Sequence, residues 1–268
     1  MSEPQPQVHV ERRPDGVVVL VMDDAKRKNA MTAELGDAFR DALAGLREEC
    51  QRGVVRAVVV TGAGDAFSGG GDLAMLERLR ASTFTESYEF MLGFYRRYLA
   101  VLDLPVPTLA AVRGPAIGAG LAVALACDLV LVAADAKLAV NFVALGLHPG
   151  MGVTYTLPAR VGAERARELL FTGRRFSGTE AVAMGLGLEA LPDADVLPRA
   201  VALAAQIAQQ GPLAVRACKR SLGFDRVALD RALEREAFAQ AESYGSADLG
   251  EGLAAAKGKR TPTWQVGS

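Results

Sequence analysis

The sequence predicts an α/β protein, and the first observation behind this prediction is a repeated unit of apolar strand, glycine loop and helix. One copy lies between Ala57 and Arg80, and the second lies between Val106 and Leu129. In each copy a short apolar run ends at several glycines, and a helical pattern follows. The second observation is that half of the 268 residues are apolar, which is ample for a sizeable core. Strands that alternate with helices in this way are typical of an α/β core.

The individual elements follow from the same patterns. We expect four strands, at 17–22, 56–60, 108–112 and 129–133. Helices are expected at 33–50, 72–80, 121–127, 177–184, 194–210, 213–222 and 228–244. Ser177 and Glu180 have the spacing of a capping box. In the last helix, Leu229, Leu233 and Phe238 predict one buried face.

The first glycine loop, which runs from Thr61 to Asp72, places several free backbone N–H groups at a helix start. Such a position binds negative charge. The P-loop pattern fails because Asp72 and Leu73 follow the last glycine, and the dinucleotide fingerprint fails because Phe67 occupies the third glycine position. The alternative is an ordinary tight turn before a helix.

The second loop contains Gly114, Gly118 and Gly120 and precedes a short helix that is apolar on every face. A helix of this kind is buried, and N–H groups at its start stabilise charge best in a dry site. The stretch 116–134 is also apolar enough to be considered as a membrane span. Because Asp128 lies within it, we interpret it as a buried helix followed by a buried strand.

These motifs together resemble the crotonase, or enoyl-CoA hydratase/isomerase, superfamily, and the resemblance covers nearly the whole chain. The matching segments are Lys26 to Met31, Thr61 to Asp72, Val112 to Gly120 with Cys127 and Asp128, Leu145 to Gly150, and Leu170 to Leu186. The resemblance implies a spiral of ββα units over residues 1–194. It also implies a C-terminal helical oligomerisation region over residues 195–268, which forms homotrimers or dimers of trimers.

In this family one backbone N–H group from each loop holds the thioester carbonyl of an acyl-CoA, and the negative charge of an enolate or a tetrahedral species develops on that oxygen. Matching the motifs assigns the two donors to Gly71 and Ala119. Since the donors belong to the backbone, an alanine at position 119 is no obstacle. Each donor lowers the barrier by roughly 3 kcal/mol in measured oxyanion holes. The alternative is that both loops merely turn the chain.

The sequence departs from the family at its acids. The family's hydratases use two glutamates for general acid–base chemistry, and the match assigns these positions to Ala122 and Phe142. Neither side chain transfers a proton. The resemblance therefore implies acyl-CoA binding and an oxyanion hole more firmly than it implies hydration. Two hypotheses remain, an acyl-CoA lyase or isomerase with another proton relay, and a non-catalytic acyl-CoA-binding protein of the same fold.

The proton relay has one further candidate, His148, which follows the second missing glutamate. An imidazole titrates near working pH and suits either proton transfer or a structural role in the turn. Asn141 can hydrogen-bond a substrate but cannot act as a base. The segment 83–98 walls the acyl pocket in this family. His9, in the polar N-terminal segment, is not expected to be catalytic.

Contacts with the CoA moiety are expected from Lys26, Lys28, Gly69, Asp72 and Leu73, with a solvated turn as the alternative for the two lysines. Asp72 also suits a helix cap, and Asp128 suits a turn anchor. The basic segment 257–260 resembles the family's basic tail. No cofactor other than the coenzyme A of the substrate is expected.

Three scattered cysteines without a Cys-x-x-Cys pair predict a reduced protein without a metal site. Ser68 lacks the surroundings of a nucleophile elbow. A net charge of −1 gives no broad attraction to nucleic acid or to an anionic membrane. The N-terminal segment 1–7 lacks the apolar stretch of a signal peptide and is expected to fray. We therefore expect a cytoplasmic location.

Overall fold

The computed structural model describes residues 5–264, which form nine strands, eleven α-helices and three short 3-10 helices within that range. The strands are β1 Gln7–Arg12, β2 Val17–Asp23, β3 Ala57–Gly62, β4 Thr108–Val112, β5 Ala116–Ile117, β6 Leu129–Ala133, β7 Lys137–Ala139, β8 Arg175–Ser177 and β9 Glu189–Leu191. The helices are α1 Ala33–Gln51, α2 Leu73–Arg80, α3 Phe84–Leu99, α4 Ala119–Ala126, α5 Val153–Val161, α6 Ala163–Thr172, α7 Gly178–Ala183, α8 Asp193–Ala208, α9 Pro212–Leu222, α10 Arg226–Tyr244 and α11 Ala247–Lys257.

The main sheet has six strands in the order β1-β2-β3-β4-β6-β9. Only the β1–β2 pair is antiparallel, and every other neighbouring pair is parallel. All residues of β3 and β4 are buried. Parallel strands that are covered on both faces have nearly continuous apolar sequences, which is why these strands could be predicted from the sequence. The α/β prediction is confirmed.

Helix α8 follows the last strand in the chain and packs against β3, β4 and β6, so it belongs to the same core as the main sheet. Residue 194, the expected end of the core, lies in the first turn of this helix. Helices α9, α10 and α11 follow and make up the rest of a C-terminal helical region, and α10 packs against α3. Every residue of α4 is buried, as the apolar sequence of this helix predicts.

A second, three-stranded sheet in the order β5-β7-β8 supports the second glycine loop. The apolar stretch 116–134 is divided among β5, α4 and β6, so the interpretation of a buried helix followed by a buried strand is confirmed. In residues 5–264, none of the helices combines the length and the apolar character that crossing a bilayer requires.

Three local expectations need correction. Residue 7 and His9 belong to β1, where His9 pairs with Val21 of β2; residues 1–4 of the expected frayed segment lie outside the described residues. Phe238 is 50% exposed, because the buried face of α10 instead includes Glu236 and Gln240. The Ser177 side chain caps α7 by accepting from the Glu180 N–H, but the Glu180 carboxylate binds Arg174 rather than closing the box.

Candidate functional site: two interlocked glycine loops

The direction of the Gly71 N–H is set by the segment that precedes α1. The Met31 N–H donates to the Gly70 carbonyl at 2.8 Å, and the Asp72 N–H donates to the Met31 carbonyl at 3.3 Å. Because a trans peptide is planar, its N–H points away from its carbonyl, so the Gly71 N–H faces away from Met31. It donates no hydrogen bond to any residue within 5–264. A Cβ atom on Gly71 would meet nothing within 4 Å, so open space lies beside this residue.

The Ala119 N–H is directed by the first turn of α4. The Gly118 carbonyl accepts from the Ala122 N–H at 3.2 Å, which turns the Ala119 N–H out of the N-terminal end of the helix. The Gly118 N–H donates to the Ala139 carbonyl of β7 at 2.7 Å, and Gly118 has a φ of +54°. Like the Gly71 N–H, the Ala119 N–H has no acceptor among the described residues.

The two loops interlock through their glycines. A Cβ atom on Gly70 would lie 2.5 Å from the Ile117 carbonyl oxygen, and the Ile117 N–H donates to the Ser68 carbonyl at 3.0 Å. A Cβ atom on Gly120 would lie 2.6 Å from the Ser68 Cβ. Only glycine permits these approaches. The resemblance implied that the two loops contribute jointly to one oxyanion hole, and in the structure the two loops are in direct contact.

Ala122 and Phe142, the residues that the resemblance matched to the family's glutamates, both lie beside Gly118 of the second loop. Ala122 is buried in the first turn of α4. Phe142 is 8% exposed, and its Cζ atom would lie 3.9 Å from a Cβ atom on Gly118. Asn141 Oδ1 lies on the same side, 3.6 Å from that Cβ position. The surroundings of Gly118 therefore contain an aromatic ring and an amide.

His148 is held by α10 through its backbone. Its N–H donates to Ser243 Oγ at 3.2 Å, and its carbonyl accepts from Gln240 Nε2 at 2.8 Å. The half-buried imidazole places Nδ1 2.6 Å from the Pro149 carbonyl oxygen. Because a carbonyl only accepts, Nδ1 carries the proton in this contact, and the Nε2 of the neutral ring is left as an acceptor.

A buried polar cluster beneath this turn was not identified from the sequence. Glu236 is 1% exposed and accepts from the backbone N–H groups of Gly152 and Thr154 and from the Thr154 hydroxyl. Burial raises the pKa of Glu236 to about 7, although these hydrogen bonds act to lower it. Tyr95 donates to Gln240 Oε1 at 2.9 Å. The only signal in the sequence was a pair of polar residues spaced four apart on an otherwise apolar helix face.

The expected CoA contacts are brought partly together. The Gly69 N–H donates to the Lys28 carbonyl at 2.7 Å, so Lys28 lies beside the first loop, while Lys26 lines a neighbouring cleft of about 350 Å³. Asp72 caps α2 by accepting from the Met75 N–H at 2.7 Å. It also lines an open cleft of about 690 Å³. Leu73 follows it and is 37% exposed.

The larger cleft carries both signs of charge. Its charged lining residues are Arg27, Glu34, Asp72, Glu77 and Arg78. In the basic segment 257–260, Lys257 pairs with Glu77 of α2 and links α11 to that helix, whereas Arg260 pairs with Glu251 of the adjoining α11. Asp128 acts as an anchor between strands, because its carboxylate accepts from the backbone N–H and the hydroxyl of Thr108 and from Lys219.

The two buried cysteines are not arranged as nucleophiles. Burial raises the pKa of the Cys127 thiol to about 12 and that of Cys50 to about 11, so both remain protonated near neutral pH. Cys218 is exposed, and all three cysteines are free thiols. Across residues 5–264 no three His, Cys, Asp or Glu side chains are grouped closely enough to hold a metal ion.

Comparison with known proteins identifies the family to which the chain is related. The family model described as Enoyl-CoA hydratase/isomerase matches residues 12–267. An enoyl-CoA hydratase-type protein of Thermus thermophilus is 38% identical over 247 residues, which cover 92% of this chain and 96% of that protein. The human protein named enoyl-CoA hydratase domain-containing protein 2, mitochondrial, is 36% identical over 270 residues, 96% of this chain and 88% of that protein.

Among solved structures, an enoyl-CoA hydratase/isomerase from Pseudoalteromonas atlantica superimposes with a TM-score of 0.83 at 29% identity. The superposition covers 97% of this chain and 100% of that one. Sequence and fold thus agree over nearly the entire length. The chain belongs to the enoyl-CoA hydratase/isomerase family of the crotonase superfamily, whose members bind acyl-CoA thioesters.

Proposed function

We propose that this protein binds an acyl-CoA thioester and stabilises the enolate or oxyanion that forms on its carbonyl oxygen, with the N–H groups of Gly71 and Ala119 as the two donors. The observation that carries the proposal is that neither N–H has an acceptor within the described chain. In each case the carbonyl of the same peptide group is already hydrogen-bonded, so the direction of the N–H is fixed. Donors fixed in this way need no reorganisation when charge develops on the substrate. The open space beside Gly71 leaves room for the thioester.

The reaction we propose is of the lyase or isomerase type, but it differs from hydration by paired glutamates. Ala122 and Phe142 neither hold a water molecule nor transfer a proton. His148 is the proposed relay, with Nε2 as the proton acceptor, because the Pro149 carbonyl occupies Nδ1. The second candidate is an acyl-CoA-binding protein without catalysis, which the apolar residues at both glutamate positions favour.

A panel of acyl-CoA thioesters separates these candidates. Saturated, 2-enoyl, 3-enoyl and 3-hydroxyacyl thioesters of several lengths are incubated with the protein, and both binding and product formation are followed by calorimetry and mass spectrometry. Enzyme-dependent conversion of any thioester supports catalysis and rules out the binding protein. Binding without conversion supports the second candidate. If no thioester binds more tightly than free CoA, both candidates are wrong.

We also propose that α9 contributes to an interface between copies of the chain, as in a homotrimer or a dimer of trimers. None of its residues is buried, and Leu213 and Leu222 are 76% and 85% exposed. The two leucines lie at opposite ends of α9, and an association between copies of the chain would remove their apolar surface from water. Analytical ultracentrifugation of the variant L213D/L222D tests this proposal. The control is V54D, which changes an exposed valine before β3. Only the α9 variant is expected to dissociate.

For location, we keep the proposal of a cytoplasmic protein, which rests on the three free thiols. The human relative is named as mitochondrial. Fractionation of cells from the organism of origin, with the protein recovered outside the cytosolic fraction, contradicts the proposal.

A further inference from the structure

Asn29 ties the segment before α1 to the first glycine loop. It is fully buried and has a left-handed φ of +52°, which asparagine tolerates better than most residues. Its Nδ2 donates to the carbonyls of Ala63 and Ala66 at 2.9 and 2.8 Å, and its Oδ1 accepts from the Asp24 N–H at 2.8 Å. Nδ2 also contacts the Phe67 carbonyl at 3.4 Å, so one side chain holds four backbone groups on two segments.

Ser68 continues this network toward the first donor. The side chain is 1% exposed, and its Oγ donates to the Asn29 carbonyl at 2.8 Å while accepting from the Gly70 N–H at 3.2 Å. The Gly70 carbonyl in turn accepts from the Met31 N–H. The N–H and the carbonyl of Gly70 are thus both hydrogen-bonded. Together these two contacts fix the orientation of the next peptide group and therefore the direction of the Gly71 N–H.

Ser68 also touches the second loop. Its Cβ and Oγ would lie 2.6 and 2.7 Å from a Cβ atom on Gly120, the residue that follows Ala119. The Ser68 N–H donates to the Pro115 carbonyl at 3.1 Å, and its carbonyl accepts from the Ile117 N–H. Ser68, itself part of the first loop, therefore packs directly against the second loop, and its position helps to set the separation of the two donors.

We propose that Asn29 and Ser68 are positioning residues that set the direction of the Gly71 N–H and its separation from the Ala119 N–H. This inference rests on the proposed function of the two donors. Oxyanion donors act over a narrow range of about 2.7–3.1 Å from the oxygen. Loss of the network therefore weakens the hold on the thioester carbonyl, whereas contacts with the rest of the CoA moiety are retained.

The test compares butyryl-CoA with S-butyl-CoA, a thioether in which a methylene replaces the carbonyl. The variants are S68A, which keeps the Cβ, and N29G, which suits the left-handed backbone. The control S177A removes a serine that caps α7 outside both loops. Affinities are measured by calorimetry, and the stretching frequency of a ¹³C-labelled thioester carbonyl is measured by infrared spectroscopy. Thermal unfolding identifies any variant that does not fold.

In the wild-type protein we expect butyryl-CoA to bind roughly tenfold more tightly than the thioether, with a lowered carbonyl frequency. In S68A we expect both effects to shrink while the thioether affinity stays within about twofold; N29G behaves likewise if it folds, and S177A matches the wild type. If S68A keeps the full wild-type preference for butyryl-CoA over the thioether, the positioning role is wrong, but the two-donor site stands. Equal binding of the two ligands by the wild type overturns the two-donor site itself and the positioning role with it.

Discussion

Gly120 at the start of α4 lies directly against Ser68 of the other glycine loop, so closely that a Cβ atom on Gly120 would come within 2.6 Å of the Ser68 Cβ. Gly71 differs, because a Cβ atom there would meet nothing within 4 Å. One glycine is therefore required by the packing of the chain, and the other borders open space. Substitutions at these two positions therefore distinguish an effect on the stability of the loops from an effect on the binding of acyl-CoA.

We expect G120A to lower the free energy of unfolding by about 1–3 kcal/mol, because the added methyl overpacks the contact between the loops. G71A is expected to unfold like the wild type but to bind acyl-CoA more weakly, since its methyl occupies the open space. Thermal unfolding and calorimetric titration with butyryl-CoA measure the two effects. Equal stability of the two variants contradicts the interlocked packing.

Ala119 allows one donor to be deleted. Proline is tolerated in the first turn of a helix, where its missing N–H has no intrahelical partner, so A119P is expected to fold. We expect about 10²-fold to 10³-fold slower turnover of any converted acyl-CoA, the effect of losing one oxyanion donor. A119G keeps the N–H and is expected to retain activity. Equal loss in both variants argues against a role for this N–H.

His148 is tested by replacing only the imidazole. Its backbone contacts with Ser243 and Gln240 do not depend on the side chain, so H148A is expected to fold normally. If Nε2 transfers the proton, turnover falls by about 10²-fold to 10⁴-fold, the usual range for general acid–base catalysis, and acyl-CoA affinity changes little. Unchanged turnover in H148A eliminates this relay.

Glu236 makes folding depend on pH. Burial raises its pKa from the ordinary value of 4.5 to about 7, so the native state holds a proton that the unfolded chain has already released. This carboxyl group therefore contributes its full stability below about pH 4.5, and the contribution is lost as the pH rises toward 7. The shift corresponds to roughly 3 kcal/mol.

The measurement is the free energy of unfolding of the wild type and of E236Q by chemical denaturation, between about pH 4 and pH 8. The glutamine does not titrate, so the wild type is expected to lose stability relative to the variant over this interval. Other carboxyl groups titrate in both proteins and cancel in the difference. Parallel pH profiles contradict the raised pKa.

Elements with a continuous apolar pattern were predictable from the sequence. The bounds of β4 and β6 match the expected 108–112 and 129–133, because strands covered on both faces are nearly continuous in apolar residues. Helix α3 was not assigned, although Thr83 and Glu86 form a complete capping box at its start. On α10, Phe238 gave a false buried position, because Glu236 and Gln240 find hydrogen-bond partners inside.

By itself, the sequence determined that two glycine loops precede helices, that α4 is buried and that no acid occupies positions 122 and 142. These properties depend on local pattern and residue type. Only the tertiary structure decided that Ser68 of the first loop packs against Gly120 of the second and that Asn29 anchors the first loop. Those contacts join residues distant in the chain, and hydrogen bonds between distant backbone groups leave no periodic signal in the sequence.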